Sequence, residues 1–75
     1  MRKEFEAFSL HQKMQILVKE LVDEELPIKD ALKEFEKIYI QAASNKYNGN
    51  KTKMAKGLGI HRNTLHNLMK ALKLD

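Results

Sequence analysis

Apolar residues recur at spacings of three and four from Leu10 to Val22, break off at Pro27, and resume from Ile28 to Ala43. That period belongs to a helix with one face against a core, and nowhere does the chain alternate apolar and polar residues as a half-buried strand does. The first stripe comprises Leu10, Met14, Leu17, Val18, Leu21 and Val22. Ser9, with Gln12 three residues on, forms a capping box that starts this helix, which is expected to run to about Glu25. Pro27 has no amide donor and disfavours helical geometry in Leu26 while suiting the first turn of a new helix, so a boundary falls there. The second stripe, Ile28, Ala31, Leu32, Phe35, Ile38, Tyr39, Ala42 and Ala43, predicts the longest helix of the chain, about 30 Å at 1.5 Å per residue.

Asn48-Gly49 would mark a hairpin in a β-rich chain. With no alternating run on either side, Gly49 is read as the left-handed residue that ends the second helix, and Asn50 as the cap of the next. A short helix follows from Lys51 to Leu58, Gly59 supplies a tight turn, and a final helix runs from about Arg62 to Leu72. The expected fold class is all-α, four helices in one domain: two long N-terminal helices over residues 9–48, then a helix-turn-helix over 49–75. Residues 1–8 (MRKEFEAF) have no settled period and read as a linker cut from a longer chain or a frayed terminus, with Phe5 and Phe8 as packing anchors.

A chain of 75 residues without cysteine buries only about 60% of the surface its unfolded form exposes. With neither disulfides nor a thiolate metal site to help, self-association is the expected remedy. The surfaces expected to meet a second copy in a homodimer are Leu10, Met14, Leu17, Val18, Leu21, Val22, Ile28, Leu32, Phe35 and Tyr39. No apolar run reaches the roughly 18 residues of a membrane span, and the start lacks a secretory signal, so a soluble cytoplasmic protein is expected.

The net charge of +4 is unevenly spread: residues 1–44 carry 7 Lys/Arg against 9 Asp/Glu, a net of −2, and residues 45–75 carry 7 against the single Asp75, a net of +6. A compact basic segment points to a polyanion as partner. Within it, small and apolar residues fall where two steeply crossing helices need them: Ala55 at the close approach, Gly59 in the turn, Ile60 at the corner, and Leu65, Leu68 and Leu72 beneath the last helix. Asn63, His66, Asn67 and Lys70 then project outward, with His61 and Arg62 at the N-terminal end.

Arg offers a fork of donors matching O6 and N7 of guanine, and Asn pairs in the same way with adenine, so His61, Arg62, Asn63 and His66 are the candidate base readers. Asn50, Lys51, Thr52, Lys53 and Thr64, near helix N-termini, are candidates for phosphate contact, as are Asn67 and Lys70 further along. Lys46, Lys56 and Lys73 add positive field.

The segment from Gly49 to Leu72 resembles the Fis-type helix-turn-helix, found in the nucleoid protein Fis and at the C-terminus of NtrC-like sigma-54-dependent activators. The matching positions are Gly49-Asn50, Thr52, Ala55, Leu58-Gly59-Ile60, Arg62, Thr64-Leu65 and Leu72, and the architectural likeness extends over residues 27–73. The resemblance implies an intertwined four-helix dimer core with paired recognition helices in successive major grooves of double-stranded DNA. It carries base reading onto Arg62 and His61, and phosphate contact onto Asn50, Thr52 and Thr64. Where Fis has Asn, Gly, Arg and Lys, this chain has His61, Asn63, His66 and Asn67, a less basic surface suited to defined sites. An activator domain, with an ATPase domain upstream, is therefore expected over a free-standing nucleoid protein.

Other functions fit less well. His61 and His66 diverge by about 140° around a helix, which leaves no convincing metal site. Neither a nucleophile arrangement nor a Gly-rich phosphate loop is present, so no enzyme, cofactor or small-molecule substrate is expected. Tyr47 is the single aromatic of the basic half, too few for a reader of single-stranded RNA. A helical adaptor for a heterologous protein is the remaining alternative, because the N-terminal stripes need covering in any case.

Overall fold

The structure, a computed structural model, describes residues 7–74 and contains four helices: α1 (Leu10–Asp23), α2 (Ile28–Lys46), α3 (Lys51–Leu58) and α4 (Arg62–Ala71). No strand occurs among the described residues, and the expected all-α class holds. The chain divides into two compact units, and the division falls within α2, between Ala31 and Leu32. Phe5 lies outside the described residues, and Phe8 is 40% exposed.

In the first unit, α1 begins as its capping box dictates. The Ser9 hydroxyl accepts from the Gln12 amide at 3.1 Å, and the Ser9 amide donates to Gln12 Oε1 at 2.8 Å. Lys19 and Asp23, one turn apart and both exposed, form an ion pair at 2.7 Å, an exposed arrangement that adds only tenths of a kcal/mol, roughly 0.3–0.5. The helix stops at Asp23, two residues short of the expected end, because Glu25 adopts a left-handed conformation with φ 58°. The Leu26 amide reaches back to Leu21 O at 3.1 Å and the Glu25 amide to Val22 O at 2.9 Å, satisfying carbonyls the helix leaves open. Pro27 stands just before α2, and its carbonyl accepts the first helical bond, from the Ala31 amide, at 3.0 Å.

The second unit holds the hydrophobic core. Ile40 and Ala43 of α2, Met54 and Ala55 of α3, Leu65 and Met69 of α4 and the following Leu72 are buried, and Tyr47, Leu58, Ile60, Leu68 and Leu74 pack against them. The single apolar stripe expected for α2 proves to be two. Ile38 and Tyr39 remain 56% exposed, whereas Ile40, outside the expected stripe, is 3% exposed. Glu36, Ile40, Ala43 and Tyr47 form one row at helical spacing, and Ile40, Ala43 and Tyr47 join the core shared with α3 and α4. Ile28, Leu32, Phe35 and Tyr39 form a second, exposed row about 80° around the helix, with the Phe35 and Tyr39 rings 5.7 Å apart. Glu36, Tyr39 and Ile40 also line a shallow apolar groove of about 180 Å³ with Leu58, Ile60 and Leu68.

Candidate nucleic-acid interface

Two turns orient the basic segment. Asn48 and Gly49 are both left-handed, with φ 52° and 74°, and the Gly49 amide closes α2 by donating to Ser44 O at 2.9 Å. The left-handed closure therefore starts one residue before the expected Gly49, at Asn48, a residue type that tolerates this conformation. Asn50 then caps α3 as expected, its Oδ1 accepting from the Lys53 amide at 3.1 Å. At the far end, Gly59 has φ 70° and the Ile60 amide donates to Ala55 O at 3.0 Å. This left-handed glycine turns the chain from α3 into α4.

His61 occupies the N-cap of α4 in extended geometry, and its imidazole makes no capping bond. The ring is thereby left available at the surface. Buried Leu65, Met69 and Leu72 fasten α4 to Met54 and Ala55 of α3 and to Ile40 and Ala43 of α2. Leu68, expected beneath the helix, is only partly buried, and Met69 takes the fully packed place. Both Leu65-Leu68-Leu72 and Leu65-Met69-Leu72 satisfy helical spacing, so periodicity alone does not choose between them.

Every candidate base reader, His61, Arg62, Asn63 and His66, is exposed. So are Asn50, Thr52, Lys53, Thr64, Asn67 and Lys70, whereas Lys51 is half-buried. None of these side chains except that of Asn50 has a hydrogen-bond or ion-pair partner among the described residues. Residues 45–74 contain no Asp or Glu, so α3 and α4 carry cations that no carboxylate of their own neutralises. That surface can bind an anion without first breaking an internal ion pair.

Of the residues expected at a dimer interface, Leu10, Met14, Leu17, Val18, Val22, Ile28, Leu32, Phe35 and Tyr39 are exposed, and Leu21 is half-buried. Among the described residues no group of three His, Cys, Asp or Glu side chains could hold a metal ion, and no helix is long and apolar enough to cross a membrane.

Sequence reasoning passed over Met54, Met69 and Ile40, all buried, and the contact of Tyr47 with Gly57. Met54 was recoverable, since with Ala55 and Leu58 it forms an apolar face of helical spacing. The Tyr47–Gly57 contact leaves no trace in periodicity.

Comparison with known families matches residues 31–72 to the model described as bacterial regulatory protein, Fis family. The match spans more than half of the chain and covers the second half of the fold, from α2 through α4. Searches of curated proteins and of solved structures returned no match.

Proposed function

From the premise that the chain belongs to the Fis family of bacterial regulatory proteins, we propose that it reads defined double-stranded DNA sites as a homodimer, as the DNA-binding domain of an NtrC-like sigma-54-dependent activator. DNA-binding transcriptional regulation is the function of the family.

One observation carries this reading: α4 is fastened from beneath by Leu65, Met69 and Leu72 while its outer surface presents Arg62, Asn63, His66, Asn67 and Lys70 with no carboxylate beside them on α3 or α4. A rod held in this way can enter a major groove and offer donors to base edges. Arg62, His61, Asn63 and His66 read bases in this proposal. Asn50, Lys51, Thr52, Lys53, Thr64 and Lys70 hold phosphates, which orient without discriminating. Residues 49–75 are the DNA-binding part, residues 9–48 the dimerisation part, and the site of action is the nucleoid of the bacterial cytoplasm.

The dimer reading draws on the exposed apolar row of α1 and, separately, on the Ile28–Leu32–Phe35–Tyr39 row of α2, each of which needs covering. The activator reading draws on neutral Asn63 and Asn67 and weakly basic His66 of α4, which favour site reading over uniform attraction to DNA.

The test is a titration of labelled duplex at two salt concentrations, with sedimentation equilibrium of the free protein. Binding that weakens steeply with salt on random duplex, persists better on a selected site, and occurs as a two-to-one complex on a palindrome is the expected result. Equal affinity for selected and random duplexes would return the reading to a free-standing architectural protein. A monomer on a single unpaired half-site would remove the dimer.

A further inference from the structure

We propose that Asn67 is a base-reading residue, which with Asn63 specifies two adenines in each half-site. This rests on the reading of α4 as a recognition helix and goes beyond it, since the sequence reading places Asn67 among the candidate phosphate contacts.

If Leu65, Leu68 and Leu72 defined the buried side, the outward direction of α4 would pass closest to Asn63 and Lys70, with Asn67 about 45° away. The structure buries Met69 to 8% exposure and leaves Leu68 only partly covered. The centre of the packed face accordingly turns by about 30°, and the outward direction moves with it. It now falls between Asn63 and Asn67, each within about 30° of it, whether or not Leu68 is counted in the buried set. His66 comes to lie on the flank. Arg62 is exposed in the first turn.

Chemistry then favours bases over phosphates for this pair. Both amides are exposed, and neither has a hydrogen-bond partner among the described residues, so both donors and acceptors of each are available. A primary amide matches the N6 donor and N7 acceptor of adenine bidentately. Phosphate oxygens accept only, and a carboxamide directed at one leaves its own acceptor unused. Asn63 and Asn67 are one turn apart, about 6 Å along the axis, which is the span of about two base-pair steps. Thr64 and Lys70, on either side of this row, remain suited to the sugar-phosphate walls.

The experiment is selection from a random duplex pool by the whole chain and by Asn63→Ala and Asn67→Ala, followed by affinity measurement on the selected site and on single-base variants. Alanine is a better helix former than asparagine and both positions are exposed, so the variants keep their fold. The expected result is a wild-type half-site with two A·T pairs about two steps apart. Asn67→Ala should lose discrimination on the order of tenfold at one of them and keep it at the other. A uniform loss of affinity on all duplexes, or no change, would overturn the inference and leave DNA binding standing. Failure of the wild-type chain to bind any duplex would instead overturn the functional reading, and this inference with it.

Discussion

The ring of Tyr47 lies across Gly57 so closely that a Cβ built on the glycine would overlap the ring, at 2.8 Å from both Cε2 and Cζ. The contact ties the C-terminal end of α2 to α3, beside the core that holds α4. It also reverses an ordinary rule. Alanine in place of a helical glycine normally adds up to about 1 kcal/mol of stability. Gly57→Ala should instead destabilise the protein, because the half-buried Tyr47 has to leave its place. In a Tyr47→Ala background the same substitution should stabilise by about 1 kcal/mol. Urea denaturation of the four proteins in this cycle reads the coupling, expected at about 1–2 kcal/mol; additive effects would show that the ring moves aside at no cost.

Glu25 ends α1 in a left-handed conformation that an L-residue with a Cβ adopts at a penalty. Glu25→Gly should raise stability by about 0.5–1 kcal/mol, since glycine enters that region freely and the two closing bonds come from the backbone. A higher urea midpoint with unchanged slope is the expected signature, and a lower one would mean that the flexibility gained by the unfolded chain outweighs the relief.

Leu65 is fully buried, Met69 nearly so, and Leu68 is not. Leu65→Ala and Met69→Ala should each cost about 2–5 kcal/mol. That approaches the whole stability a core of this size supplies, about 3–5 kcal/mol. Leu68→Ala should cost distinctly less. Thermal denaturation followed by circular dichroism ranks the three, and a Leu68 effect as large as that of Met69 would contradict the register of α4.

Arg62 is exposed and has no ion-pair partner among the described residues, so removing it leaves no buried charge behind. Arg62→Ala should relax preference at one base pair in each half-site, at about 1–3 kcal/mol per contact. Sequence selection by the variant measures this. Unchanged preference with weaker binding overall would move Arg62 to the phosphate group.

Features that depend on a few neighbouring residues were legible before any coordinates. The Ser9–Gln12 box, the boundary at Pro27, the Asn50 cap and the turn at Gly59 each involve side-chain chemistry or backbone freedom acting within about one turn. The basic, carboxylate-free stretch from residue 45 to 74 could be read directly, and the family likeness lay in the same segment. Left-handed Glu25 and Asn48 were less visible, because neither residue type demands that conformation; the closing bonds of the helix end select it.

The amino-acid order alone thus determined that the chain is helical, where its helices begin, and where its positive charge collects, because local hydrogen bonding, proline geometry and composition suffice for each. Tertiary packing decided which of two equally periodic faces α2 and α4 turn inward. Ile40 rather than Ile38 or Tyr39 is buried in the shared core, and Met69 is buried there more fully than Leu68, since a helix of one period offers several acceptable rows and only the shape of its neighbours selects among them. That selection centres the outward face of α4 between Asn63 and Asn67 rather than between Asn63 and Lys70.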